Sequence, residues 1–368
     1  TTTRTHQNLA AGQSHLVKST RGSMSELTIK MQEIVKRCQA ILDAMFSREP
    51  RSASPKTQVE YERQAQQLLQ RARHVEGGLF YVVQSTTSAS TFRKRLIALE
   101  HFVRTQQEQL ARQLNAPVVQ AAEILHIRLF SQLKNLQTLQ RLRKEGMTGQ
   151  RAKRRSKRQA LAGLPDNWRI ALCKRAASGQ YLFPLIVLAL TGCRPAELVS
   201  GVHLWRRKDE ATGKVLIHFG IAGAKVKAEQ GQPVRTITYD AKDPHPFVIV
   251  VNELLDAQPE PQVFAQISSA INLTVEIRRL ARSLWPKHKQ PITSYCFRHQ
   301  FAADLKANGD DEATSRGLGH ISAETRRVYG TASQASKRYR LRPLRIEVER
   351  PVKPRSRGPC TKWRNEPA

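Results

Sequence analysis

Apolar residues spaced three and four apart dominate the first 145 positions. From Ser25 to Phe46 they fall at Leu27, Ile29, Met31, Ile34, Val35, Ile41, Leu42 and Met45, near the 3.6-residue period of a helix. Ser52-Ala-Ser-Pro55 interrupts the pattern. It resumes over Thr57–Val75, where Val59, Tyr61, Leu68 and Leu69 share a face and Thr57 with Glu60 fits a capping box. Gly77-Gly78 is a second break. Amphipathic stretches follow at Thr91–Leu114 and from about Val118 to Arg143. Four helices with short polar joints predict a compact helical domain over 23–145, preceded by a flexible segment at 1–22.

Beyond Arg158 the texture changes. Asp166–Ala177 is a predicted helix, and Tyr181–Leu190 is apolar on every side, as a fully buried helix would be. Val202–Arg206, Lys214–Phe219 and Val234–Tyr239 read as strands. Turns at Asp209–Gly213 and Ala228–Pro233 join them into a three-stranded antiparallel meander. Helices return at Phe247–Ala257, Ile267–Leu284, Tyr295–Asn308 and Asp310–Leu318. The expected fold is mainly α with a small antiparallel β-meander. Its second domain covers 161–335, after a basic linker at 146–160 and before a basic, proline-containing tail at 336–368. The longest apolar stretch, Tyr181–Cys193, is broken by Pro184 and Gly192. A bilayer span needs about 20 apolar residues, so no membrane partner is expected.

Charge narrows the function more than hydropathy does. The 368 residues include 61 Lys and Arg against 30 Asp and Glu, a formal net charge of +31. Residues 1–158 carry 28 basic and 11 acidic side chains, and the remainder 33 and 19. Both halves are basic, which a merely basic tail would not produce. A polyanionic partner is implied, with nucleic acid foremost, because neutralising phosphates releases counterions. The cation-rich run from Arg141 to Arg158 is read as crossing a phosphate backbone, with Arg151, Lys153, Arg154, Arg155, Lys157 and Arg158 as contacts. Lys56, Thr57, Arg93 and Lys94 are the candidate contacts on the helical domain. Five scattered cysteines without a CxxC pair point to neither a zinc site nor a disulfide framework, and suit a reduced compartment.

Three segments of the second half carry candidate chemistry. In Thr191-Gly-Cys-Arg-Pro-Ala-Glu-Leu198, Gly192 ends a helix and Pro195 starts another, which puts Arg194 at a helix N-terminus with Glu197 three residues on. In Tyr295-Cys-Phe-Arg-His-Gln-Phe-Ala-Ala-Asp-Leu305, Phe297, Phe301 and Leu305 form a core stripe and Arg298 sits half inside it. A buried arginine needs an anionic partner, either a carboxylate or a phosphate. In Leu318-Gly-His-Ile-Ser-Ala-Glu-Thr-Arg-Arg-Val-Tyr-Gly330, Gly319 places His320 in a turn, and a short helical turn leads to Tyr329.

Together and in this order, these segments resemble the tyrosine recombinase (phage integrase) family over about residues 160–335. The helical domain is similar by layout alone to that family's core-binding domain. The resemblance implies that Arg194 and Arg298 bind the scissile phosphate and that Glu197 braces the first of them. Lys225, with Lys227 as its near neighbour, matches the β-hairpin lysine. His320 matches the late His/Trp position, and Tyr329, nine residues on, the nucleophile. His299 matches a supporting histidine. Tyr295 departs from the pattern, since the family usually has His three residues before the second arginine. A tyrosine there can donate a hydrogen bond but is a poor base near neutral pH. Tyr339, ten residues after Tyr329, is a second nucleophile candidate without the histidine spacing.

The implied protein is a two-domain clamp on double-stranded DNA. It is expected to be a site-specific recombinase or integrase of a phage or mobile element, working without cofactor or metal through a 3′-phosphotyrosyl link and a Holliday junction. A dimer-to-tetramer assembly on DNA, accessory DNA-bending proteins as further partners, and a bacterial cytoplasmic, nucleoid-associated setting go with that resemblance. So does a tail packed on a neighbouring protomer. Two rivals remain at the level of sequence: a type IB topoisomerase-like nicking–closing enzyme, and a non-catalytic architectural DNA-binding protein, prompted by Tyr295.

Overall fold

The computed structural model describes residues 26–45, 53–114, 122–148, 157–177, 179–226 and 230–354. The expected segment at 1–22, Arg151, Lys153, Arg154 and Arg155 of the basic run, Lys227 and the last part of the tail lie outside them. The chain divides into two compact units, Thr1–Arg154 and Arg155–Ala368.

The first unit is helical: α1 (26–45), α2 (Pro55–Ala72), α3 (Gly78–Gln84), α4 (Ala89–Leu114) and α5 (Ala122–Glu145). The predicted stripes are the buried faces. Met31, Ile34, Cys38 and Leu42 of α1 meet Leu99, Val103 and Leu110 of α4 and the leucine row Leu125, Leu129, Leu133, Leu136, Leu139 and Leu142 of α5. One polar contact crosses this core, from Gln132 Nε2 to the Val103 carbonyl at 2.6 Å. Two expectations shift. The second helix starts earlier than Thr57, with Ser54 as its N-cap and Pro55 in its first turn. The Thr57 hydroxyl meets that of Ser54 at 2.8 Å, and Glu60 pairs with Arg63 instead of closing a capping box. The Gly77-Gly78 break also leads into a seven-residue helix, α3, that the sequence reading left out.

In the second unit, α6 (Trp168–Arg175), α7 (Leu182–Thr191) and α8 (Pro195–Ser200) lead into β1 (Val202–Lys208), β2 (Val215–Ala222) and β3 (Val234–Asp240). Then come α9 (Pro246–Asp256), β4 (Gln262–Ala265), α10 (Ala270–Leu284), α11 (Ser294–Ala307), α12 (Asp311–Gly317) and β5 (Arg345–Val348). Helix α7 is buried from Pro184 to Thr191, as its uniform apolarity requires. The meander is the centre of a larger sheet. All pairs are antiparallel and the order is β4-β1-β2-β3-β5.

The stretch after 335 is partly structural in its own unit. Asp166 accepts the backbone N–H groups of Lys337 and Arg338 at 2.8 and 2.9 Å and the Ser336 hydroxyl at 2.9 Å. Buried Arg169 donates to the Tyr339 carbonyl and to Asp304, at 2.9 and 2.8 Å. Strand β5 then pairs with β3, Ile346 opposite Ile237. Residues up to 348 thus complete the sheet of their own chain. Among the described residues no helix is long and apolar enough to cross a membrane, and the four described cysteines are buried free thiols.

Candidate active site

Helix α7 ends at Gly192, whose φ of +56° is a left-handed conformation that glycine adopts without strain. An added Cβ would also lie 2.7 Å from the Phe301 ring, so α7 and α11 are in close approach there. The chain turns, and Arg194 becomes the N-cap of α8. Glu197 closes the turn: its carboxylate accepts the Arg194 backbone N–H at 2.7 Å and the Arg194 guanidinium at 2.6 Å. The sequence alone allowed this to be a surface pair, yet Glu197 is wholly buried.

A residue that the sequence reading passed over completes the pair. Arg235, fully buried on β3, donates at 2.7 Å to Glu197 Oε2, which also accepts the Arg194 N–H, and at 3.0 Å to the Gly317 carbonyl. Burial by itself would raise the pKa of the Glu197 carboxyl. The Arg235, Arg298 and Arg194 guanidiniums outweigh it and hold the group well below the usual carboxylate range. A signal for Arg235 was present. It shares its parity along β3 with Ile237 and Tyr239, both of which face the core.

Arg298 is fully buried, not half inside the core as expected. It donates to the Gly192 carbonyl at 2.8 Å and to the Leu318 carbonyl, and lies 3.4 Å from His320 Nε2. Arg235 and Arg298 therefore take carbonyls at the C-terminal end of α12, where cations are favoured. They fix the turn through Gly319 that presents His320. Burial, and next the Arg194 charge, push the Arg298 pKa down.

Tyr329 follows a single 3-10 turn, Ala323–Val328. Its ring centroid lies 5.1 Å from the Arg298 guanidinium carbon, 5.3 Å from the His320 ring and 5.2 Å from the His299 ring. Burial, followed by the Arg298 charge, lowers both imidazoles, to about 4 for His299 and about 2 for His320. Both are neutral at physiological pH. Among the described residues, the buried Nε of Arg298 and Nδ1 atoms of His299 and His320 have no hydrogen-bond partner. Such orphans are rare in native proteins and mark a place where a polar ligand could sit. Three guanidiniums around one carboxylate leave an excess of positive charge there, which suits an anion.

Thus Arg194, Glu197, Arg298, His299, His320 and Tyr329 come together, and Arg235 joins them. Two predicted residues stand apart. Lys225 is exposed in the turn after β2, and among the described residues no hydrogen bond or ion pair ties its ammonium to the cluster. Tyr295 is half-buried one turn before Arg298, with Lys157 Nζ 4.5 Å from its ring centroid. Lys157 was read only as a phosphate contact; it starts a short 3-10 turn, Lys157–Leu161, in the second unit. Tyr339 faces the His245 ring at 6.5 Å, and its carbonyl is held by Arg169. On the helical unit, Lys56, Arg93 and Lys94 are exposed, and Thr57 is half-exposed; Arg158 is half-exposed on the second unit.

No family model matches this chain, and no curated protein does. It is similar to the solved structure of XerA recombinase, with 17% identity, a TM-score of 0.33, and coverage of 81% of this chain and 93% of that one. It is also similar to XerH site-specific recombinase bound to palindromic difH substrate in a post-cleavage complex (12% identity, TM-score 0.35, 82% and 91% covered). The pre-cleavage complex of XerH with difH substrate gives 13% identity, a TM-score of 0.33, and 82% and 92% covered. At such identities and TM-scores, what the site does must be argued from the residues of this chain.

Proposed function

We propose that this chain is a site-specific DNA recombinase that cuts and rejoins double-stranded DNA through Tyr329. The observation that carries the reading is the position of the Tyr329 ring against Arg298 and His320, beside buried donors that have no partner. A phosphodiester meets both needs of the site, since its oxygens accept hydrogen bonds and its charge offsets the guanidiniums.

Charge grows on the non-bridging oxygens during phosphoryl transfer, so positioning and electrostatic stabilisation should dominate. Arg194 and Arg298 supply fixed guanidinium donors, with Glu197 and Arg235 bracing the first. The Tyr329 hydroxyl attacks phosphorus, forming the Tyr329 O–P bond as the P–O5′ bond breaks, and the phenolic proton passes to water. The departing 5′-oxygen needs a proton, and Lys225, exposed in the turn after β2, is the candidate donor. Neutral His320 can donate a hydrogen bond from one ring nitrogen while accepting with the other. The phosphotyrosyl link conserves the bond, so a 5′-hydroxyl from a second duplex can reverse the step. That exchange makes a Holliday junction and requires at least two, and in sum four, protomers on DNA. Exposed cations such as Lys56, Arg93, Lys94 and Lys157, together with the rest of the basic run at 151–158, supply grip without base reading. A phage or mobile-element role, with accessory DNA-bending proteins, is the biological setting we assign.

The test is a duplex with a nick beside the cut site, which traps the covalent intermediate. A protein–DNA adduct in the wild type, absent in Tyr329→Phe, is the expected result. A wild type that forms no adduct on the DNA of its own element would sink the proposal. One observation favours a second reading: Tyr295 stands where a proton-transferring histidine would serve. A non-catalytic architectural role would give tight binding and no adduct. A nicking–closing enzyme would give the adduct without strand exchange between two duplexes.

A further inference from the structure

The segment that carries Tyr329 has little apolar anchorage. None of Ala323–Val328 is buried, and Val328 is 64% exposed. Yet the Tyr329 ring must stay within about 5 Å of Arg298, as observed. Polar contacts do the holding. Lys306 lies on α11, eight residues after Arg298. Its ammonium donates to the carbonyls of Arg326 at 3.0 Å, Tyr329 at 3.3 Å and Gly330 at 2.7 Å.

Those three bonds use every hydrogen that an ammonium has. The acceptors lie at and just past the C-terminal end of the 3-10 turn, where a cation is favoured; the Arg326 carbonyl also accepts the Tyr329 N–H at 3.1 Å. Lys306 is half-buried, and burial, then the Arg326 charge, lowers its pKa while Asp311 opposes this. Asp311 is itself engaged by Arg326, at 2.5 Å. A second contact brings the same stretch onto α11. A Cβ on Gly330 would lie 2.3 Å from the His299 carbonyl oxygen, so only glycine allows this approach.

We propose that Lys306 is a positioning residue: it latches residues 326–330 onto α11 and so keeps Tyr329 facing Arg298 and His320. It reaches none of the reacting atoms and acts through backbone carbonyls. Opening the latch exposes three carbonyls and one ammonium to water, which rehydrates them, and the apolar surface it uncovers is mainly that under the Tyr329 ring. The segment can therefore leave while the core of the unit stays folded. The inference rests on the reading of Tyr329 as the nucleophile.

Two substitutions in the full-length chain test it. Lys306→Met keeps much of the apolar stem and removes all three donors; Lys306→Arg keeps donors. Three quantities are read: the rate of adduct formation on the nicked duplex, the affinity for the same duplex, and the rate of tryptic cleavage after Arg326 and Arg327, identified by mass. For Lys306→Met we expect adduct formation about 10- to 100-fold slower, the scale of a small misplacement of a reacting group, with affinity unchanged. Cleavage after Arg326 and Arg327 should accelerate while other tryptic sites keep their rates, and Lys306→Arg should restore most of both losses. Wild-type adduct rates with a wild-type tryptic pattern in Lys306→Met would overturn the latch. So would faster cleavage at all sites together with a lower melting temperature, the signature of a general structural role. If the wild type itself forms no adduct, the nucleophile reading fails, and the tryptic comparison still decides the latch.

Discussion

Glu197 shows how a single buried carboxylate organises this site. Its Oε1 accepts the Arg194 guanidinium, its Oε2 accepts both the Arg194 N–H and the Arg235 guanidinium, and it lies near Arg298. Removing one partner of a buried pair leaves charge without compensation, which costs about 3–5 kcal/mol. Arg235→Met is accordingly expected to destabilise the second unit by about that amount and to lower its melting temperature. It should also free the Gly317 carbonyl and loosen the turn that presents His320. A melting temperature equal to wild type would show that the pair is dispensable. The motif arginines and Glu197 were legible because their spacing in the sequence is distinctive. Arg235 and Lys306 were not, because each acts on groups 20 or more residues away, and in part on backbone carbonyls that have no sequence signature.

At the scale of elements, the close contact between α11 and the Tyr329 segment has a cost that can be measured. Gly330→Ala puts a methyl 2.3 Å from the His299 carbonyl and 3.0 Å from the Ala303 methyl. The segment must move outward, for a loss of about 1–3 kcal/mol in docking. We expect adduct formation on a nicked duplex to slow by about tenfold or more, with DNA affinity unchanged; an unaltered rate would mean that the segment docks elsewhere in the reactive complex. The two strands that the sequence does not announce share a physical cause. Strands β4 and β5 are four residues each and lie at opposite edges of the sheet. So short a run has little periodicity, and β5 becomes a strand by pairing with β3, more than a hundred residues earlier. Long helices α4, α5 and α10 needed no such partner to be recognised.

Across the whole second unit, the buried histidines give stability an acid dependence, and His245, His299 and His320 carry most of it. Burial lowers His245 and His299 to about 4 and His320 to about 2. His245 also accepts the Phe247 N–H as the N-cap of α9, a bond that its charged form cannot accept. Above the unfolded value near 6.5, both states leave these rings neutral and stability is complete. As pH falls below it, the unfolded chain takes up protons first, so the folded state loses ground until the folded values are reached. Each histidine should contribute a loss of about 1–2 kcal/mol between pH 7 and pH 5. The melting temperature of the second unit should drop over that window, and less steeply in His245→Gln; a flat profile would contradict neutral burial.

At this largest scale, the sequence by itself determined the helical first unit, the mixed second one, the basic surface and the order of the motif residues. Periodicity, charge and spacing are local properties, and a chain carries them before it folds. Only the tertiary structure decided which cations are buried around Glu197, that Tyr329 and not Tyr339 lies against Arg298, and that residues 345–348 close their own sheet. Those outcomes depend on contacts between distant segments, where burial, rather than residue type, sets what a charge can do.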